Sequence, residues 1–211
     1  MDGPLIIGLG DHAECVHANE CDAFAMPLHQ QLSNGNYDWP VSVLGLEDFD
    51  AYLAGHRTAR KRAQRARNLG FQFDRIERSD YVDDIYAINT SMPERQGRPM
   101  SATYRDRPSF EPLPHYPCPR HRIDTWGVFA GDTLVAYLVL HLSGELVLVS
   151  QILGHADYLA SDVMYLLVVE ALRRLPLPAT VFYNRHDSGT EGLRYFKTRL
   201  GFAPERVAWA A

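Results

Sequence analysis

The sequence predicts an α+β domain whose core is a mixed, largely antiparallel sheet flanked by helices, and three observations carry that expectation. Three apolar runs, Asp124 to Phe129, Thr133 to His141 and Glu145 to Leu153, are separated by Gly131-Asp132 and Ser143-Gly144, the turns of a hairpin meander. Helical, extended, helical and extended patterns follow the meander in that order. A hydrophobic content of 46% over 211 residues suffices for one core.

The elements follow from spacing and punctuation. Residues 1–40 show no sustained period and read as loop, short strand and turn, with Val41 to Leu46 as a strand. From Asp48 to Leu69 apolar residues recur at helical spacing between Arg57, Arg60, Lys61, Arg62, Arg65 and Arg67, which predicts one amphipathic helix with a basic face, closed by Gly70. Phe71 to Ile76 alternates as a strand, and Asp80 to Thr90 resumes a helical pattern capped by Ser79 or Asp80. Seven prolines between Ser91 and Arg122 forbid a long helix there and predict a long loop. After the meander, Ala160 to Leu175 is a helix capped by Ser161 or Asp162 and ended by Pro176, and Thr180 to Tyr183 a strand. A helix from about Thr190 to Leu200 ends at Gly201, and Phe202 to Trp209 forms a last strand.

Composition narrows the class. No stretch reaches the roughly 18 to 20 apolar residues of a membrane span, and the first twenty residues are acidic and His-bearing where a signal peptide is basic and then apolar, so a cytoplasmic protein is expected, with no membrane partner. Three cysteines, Cys15, Cys21 and Cys118, are an odd number for a disulfide framework and read as reduced thiols. The net charge of −5 argues against broad affinity for polyanions, leaving local basic patches as the route to one. Gly-rich nucleotide fingerprints, P-loops, G-x-S-x-G elbows and H-E-x-x-H pairs are absent from the sequence.

The run GLRYFKTRLGF, Gly192 to Phe202, resembles the closing motif of GNAT acyltransferases, and more closely that of their FemAB-like aminoacyltransferase relatives. RTARKRAQRARNLGF, Arg57 to Phe71, is similar to the helix and Gly turn that open a FemAB-like repeat; with YAINTSMPERQGRPM, Tyr86 to Met100, the resemblance covers about residues 45 to 207. It implies a GNAT-like fold in a single repeat, with 1–45 as an irregular segment packing on a transferase domain of 46–211. It also implies transfer of an aminoacyl group from aminoacyl-tRNA, or an acyl group from acyl-CoA, onto the amine of a small molecule or peptide. FemAB-like proteins often hold two repeats, so a homodimer partner is one source of the missing half.

The resemblance gives Lys197, one of two lysines beside nineteen arginines, a place near the donor's reacting or phosphate-bearing part. Tyr195 is the alternative leaving-group acid; two residues along a helix is a turn of about 200°, so the pair cannot face one site. Gln151-Ile-Leu-Gly154-His155-Ala156 fits the Q/R-x-x-G-x-G/A signature by which GNAT enzymes hold the pyrophosphate of acyl-CoA, on backbone amides at a helix start. For the base that frees the amine, His186 stands with Glu145, His155 and Asp187 at strand ends. Arg60 and Arg65 on the basic helix are candidates for tRNA phosphates, and Arg95 and Arg98 in the proline loop, with Asn184, for an anionic substrate.

Two further readings stay open. His12, Cys15, His17 and Cys21, with His115, Cys118 and His121, are a Cys/His set from which a structural zinc site can be built, although neither segment has paired C-x-x-C spacing, and no metal ligand is assigned. The rival to an enzyme is a noncatalytic binding module that kept the fold and lost the reaction.

Overall fold

The computed structural model describes residues 5–7, 40–111, 121–187 and 189–209. Its strands are β1 (Leu5–Ile7), β2 (Val41–Leu46), β3 (Gln72–Arg75), β4 (Glu94–Arg95), β5 (Arg98–Pro99), β6 (His121–Ala130), β7 (Thr133–Ser143), β8 (Leu146–Gly154), β9 (Ala179–Arg185), β10 (Ala203–Glu205) and β11 (Val207–Trp209). The helices are α1 (Phe49–Gly55), α2 (Arg57–Asn68), α3 (Val82–Thr90), α4 (Val163–Arg173) and α5 (Glu191–Arg199).

Seven strands form one sheet in the order β10-β2-β9-β8-β7-β6-β3, in which β8 and β9 run parallel and all other neighbours antiparallel. The meander is as expected, with β6 starting three residues earlier, at His121. The expected domain boundary at 45/46 falls inside β2, which lies between β10 and β9. The last strand is two, separated at Arg206: β10 pairs with β2, with Pro204 opposite Ser42 on the edge of the sheet where proline is tolerated, while β11 pairs in parallel with β1 in a separate two-stranded sheet.

Side chains of β7 alternate between the two faces. Ala136, Leu138, Leu140 and Leu142 join the core beneath α2 and α4, and Tyr137 and Val139 join a second cluster with Ile85 and Ile88 of α3. On α2 the stripe Ala59, Ala63 and Ala66 is fully buried, and these small residues let the helix lie close against α4. The single helix expected over 48–69 is broken at His56 (φ −110°, ψ 62°), whose ring stacks on Tyr52 and whose Nδ1 lies 2.8 Å from the Tyr52 carbonyl. Asp48 caps α1 as a helix N-cap should, its carboxylate accepting from the Ala51 amide at 2.7 Å. Gly70, at φ +92°, closes α2 in the left-handed conformation that glycine adopts without strain.

Two other helices start later than their sequence patterns. Residues Arg78–Tyr81 and Ala156–Ser161 form 3₁₀ turns ahead of α3 and α4, and the expected caps at Ser79, Asp80, Ser161 and Asp162 make no capping hydrogen bond. Asp162 instead sits at φ +62° with its buried carboxylate taking Arg62 at 3.2 Å and Arg65 at 2.8 Å. The proline loop holds the short β4–β5 hairpin, whose turn residues Gln96 (φ +57°) and Gly97 (φ +73°) both have the positive φ of a tight hairpin turn. No helix among the described residues is long and apolar enough to cross a membrane.

Candidate functional site

The site arises where the parallel pair comes apart. β8 and β9 are in register from Leu146/Thr180 to Leu148/Phe182, and the pairing stops there. On the β7 side of β8, the register jumps from Leu140/Val149 to Val139/Gln151, so Ser150 is an extra, bulged residue; its hydroxyl donates to the Val139 carbonyl at 3.2 Å. On the β2 side of β9, the register jumps between Val43/Phe182 and Val41/Arg185, where Asn184 has φ +51°. A bulge bends its strand and re-aims the side chains beyond it. Two bulges at the same level, one on each strand, turn the strands apart and open a slot between them.

Two connected lobes fill that slot. One, of about 240 Å³, is walled by apolar side chains including Met92, Ile152, Leu159, Met164, Leu193 and Phe196. The other, of about 260 Å³, presents Tyr104, Ser150, Gln151 and Asn184. Arg95, Gln96, Ile152, Leu153 and Tyr183 line both. The hairpin turn crosses toward the start of α5: a Cβ on Gly189 would lie 3.3 Å from Gln96 Cβ, and one on Gly97 3.9 Å from Thr190 Cγ2.

Arg95 ties the hairpin down. Its Nη1 donates to the Gly154 carbonyl at 2.9 Å, and its Nη2 to the Ile88 carbonyl at 2.6 Å and the Ser91 hydroxyl at 2.9 Å. All three acceptors are neutral, and Nε is buried with no partner among the described residues. Burial pushes its pKa below the ordinary guanidinium value, and the group remains cationic at neutral pH. The expected substrate arginine is thus a clamp that also borders both lobes.

Lys197 is fully buried on the inner face of α5, with Nζ donating to the Arg185 carbonyl at 2.8 Å and lying 4.8 Å from the centre of the Tyr183 ring. Burial lowers its pKa to about 8, partly opposed by the Asp187 carboxylate. The ammonium therefore stands one ring behind the slot and does not line it. Tyr195 is exposed on the other side of α5 under the Arg199 guanidinium, as the 200° separation requires, and the structure does not bring it to the slot. His186, past the end of β9, lies with Nδ1 3.0 Å from the Ser42 hydroxyl; burial and the Lys197 charge depress its pKa, so the ring is neutral at pH 7. Asp187 is engaged by Arg185. Glu145 immediately precedes β8, at the opposite end of the strand from Gly154, which removes it from the site.

The 151–156 segment is already occupied by the protein. Gln151 Nε2 donates to Tyr104 Oη at 3.3 Å, the Ala156 amide to the Ser91 hydroxyl at 3.1 Å and the Asp157 amide to His155 Nδ1 at 3.3 Å. A Cβ on Gly154 would meet Met164 Sδ at 2.6 Å and Leu159 Cδ2 at 3.0 Å, so a larger residue there would have to displace those side chains. The basic helix is similarly engaged: Arg65 and Arg62 hold Asp162, and Arg67 pairs with the buried Glu170, while Arg60 is exposed. Arg98 is exposed on β5, and Asn184 borders the polar lobe, its Oδ1 accepting from the Arg185 amide at 2.6 Å. His12, Cys15, His17, Cys21, His115 and Cys118 lie outside the described residues; among the described residues no group of three His, Cys, Asp or Glu is placed to hold a metal ion. Tyr183, Leu193, Phe196 and Met164 were not legible as site residues, although Leu193 and Phe196 share a helix face at i, i+3 opposite Tyr195.

No protein-family model matches the chain, and no curated protein matches it in sequence. Solved structures do match in shape. The C-terminal domain (DUF2156) of a putative lysylphosphatidylglycerol synthetase from Agrobacterium fabrum superposes with a TM-score of 0.52 at 15% identity, covering 79% of this chain and 57% of that one. A conserved protein of unknown function from Bacteroides thetaiotaomicron superposes with a TM-score of 0.54 at 11% identity, covering 81% of this chain and 58% of that one. The chain thus spans a little over half the length of the structures it matches. The architecture, a mixed and largely antiparallel sheet flanked by helices, is a fold shared with these two structures. At these identities the likeness fixes the fold and leaves the activity to the site.

Proposed function

We propose that the chain is a single-repeat GNAT-fold transferase that joins an acyl or aminoacyl group to an amine in the slot between β8 and β9. The observation that carries this reading is the slot itself. Past Leu148, the edge of β8 has no ladder partner in β9, so its peptide groups are available to an extended donor and its N–H groups to a developing oxyanion. In the reaction the amine nitrogen attacks the donor carbonyl carbon, forming the C–N bond and a tetrahedral oxyanion. Collapse breaks the C–O or C–S bond, the electron pair leaves with the hydroxyl or thiol, and the proton lost by the amine ends on that leaving group.

Within this scheme Lys197 is a positioning residue: it fixes the carbonyl of Arg185 and the ring of Tyr183, and adds positive potential behind the slot. His186, neutral at pH 7, is the candidate acceptor for the amine's proton. The engaged amides of Ala156 and Asp157 weigh against a pyrophosphate cradle there and favour aminoacyl-tRNA over acyl-CoA as donor. The exposed Arg57, Arg60 and Lys61 remain for tRNA phosphates. The acceptor is a small-molecule or peptide amine, and a homodimer partner is the source of any second acceptor wall.

A noncatalytic binding module is the second reading, favoured by one observation: the ammonium of Lys197 is enclosed. Calorimetry or filter retention at near-physiological salt, with acetyl-CoA and with charged and deacylated tRNA, separates the readings. Preference for charged tRNA supports aminoacyl transfer and saturable acetyl-CoA binding supports acyl-CoA chemistry. Binding to neither overturns the transferase reading.

A further inference from the structure

The two lobes differ in chemistry more than in size. Tyr104, Ser150, Gln151 and Asn184 give the polar lobe hydroxyl and amide groups, whereas the other lobe is faced by Met92, Ile152, Leu159, Met164, Leu193 and Phe196. None of the described residues lining either lobe is acidic, and the one charged side chain that borders both is the Arg95 cation, which the protein surrounds with neutral acceptors. An ammonium placed in the apolar lobe would be desolvated beside a like charge, with no carboxylate among the described lining residues to receive it, and both effects disfavour it. An aliphatic or aromatic group would replace water there and gain from the apolar surface it buries. Size points the same way: an apolar cavity of about 150 Å³ takes a benzene-sized guest, so one of about 240 Å³ has room for a leucyl- or phenylalanyl-sized side chain.

We infer that the apolar lobe holds an uncharged apolar side chain or acyl tail, of about leucine to phenylalanine size, on the group this site transfers. The inference rests on the transferase reading for the words "on the group this site transfers"; the selectivity of the lobe stands on its lining. Met164 and Leu159 set the depth, because both crowd the space over Gly154. The carbonyl to be attacked then lies at the junction where Tyr183, Gln96 and Arg95 meet both lobes, and the polar lobe is left for the acceptor.

Two readouts on the full chain test this. The first is ligand-observed NMR with 4-methylpentanamide against 6-aminohexanamide, on the wild type and on Leu159→Trp, which fills the lobe. The second is transfer to a mixture of peptide amines from tRNA charged with leucine, phenylalanine, alanine or lysine, and from 4-methylpentanoyl-CoA against acetyl-CoA. The expected result is selective binding of the methylpentanamide, lost in Leu159→Trp, with leucyl or phenylalanyl transfer exceeding lysyl transfer by about 100-fold or more. Efficient lysyl or acetyl transfer overturns the inference and leaves the transferase reading intact. Equal binding of the two amides also overturns it. Selective binding without transfer from any donor supports the lobe's preference and overturns the transferase reading.

Discussion

The two ends of the β8/β9 pair show how one sheet makes both a core and a site. At the Leu146–Leu148 end the strands are in register, and Leu146, Leu148 and Phe182 pack into a closed apolar cluster with Val43. A few residues on, at Val149–Gly154 and Tyr183–Arg185, the same strands have parted and polar residues stand at the gap. β8 is apolar from Leu146 to Val149 and turns polar at Ser150 and Gln151, where the strands part. The backbone changes at the same place, with one extra residue on β8 and one left-handed residue on β9, Ser150 and Asn184. Backbone irregularity and a change of side-chain chemistry coincide where this sheet opens.

The largest effect should come from removing the clamp at the open end. Arg95→Ala removes the guanidinium donor from the Gly154 and Ile88 carbonyls, leaving Ile88 only the Ser91 donors, and frees the hairpin; urea unfolding should show a loss of about 2–4 kcal/mol together with loss of ligand binding. Arg95→Lys should recover only part, because an ammonium cannot reproduce the planar fork.

Lys197→Met should reduce turnover with little loss of stability at neutral pH, since the ammonium it removes is buried with a neutral acceptor. The pH dependence has a definite sign. The wild-type lysine loses its proton near pH 8 when folded and near 10.5 when unfolded, so the unfolded chain binds more protons between those values. Stability of the wild type relative to the variant should therefore rise from pH 8 to 10.5, by at most about 3–4 kcal/mol. Paired denaturation curves across that range check it, and a flat difference would mean that Lys197 is solvated.

Asp162→Asn serves as a contrast away from the open end. It removes the charge that Arg62 and Arg65 hold, and because both arginines are well exposed the cost should be only about 1–2 kcal/mol, with ligand binding unchanged. Smallest of all, Asn184→Gly should relieve the left-handed strain and raise stability by about 0.5–1 kcal/mol while weakening binding in the polar lobe.

The elements that local pattern determines were legible: the meander, α5 with its Thr190 start and Gly201 stop, and the alanine stripe of α2. Features that depend on a distant partner were not. The break at His56 comes from a ring stacked on Tyr52 and packed beside Gly201, neither of which perturbs the helical spacing of 48–69. The bulge at Ser150 is invisible because period-two alternation on one strand does not say how its neighbour is registered. The Gln151–Ala156 signature is present in sequence, yet the Val135 carbonyl takes its His155 amide and the Ser91 hydroxyl its Ala156 amide, and only the fold brings those two acceptors there. Lys197 could be singled out by its rarity, but its enclosure behind Tyr183 required the packed helix.

The central claim is that the slot between the splayed strands is where the ligand reacts. Ile152 borders both lobes and carries no chemistry of its own, so Ile152→Trp blocks their junction. With the transfer rate measured on wild type and variant, and folding checked by thermal melting, the account predicts a folded variant whose transfer falls by about 100-fold or more. A folded Ile152→Trp variant that transfers at the wild-type rate would contradict it.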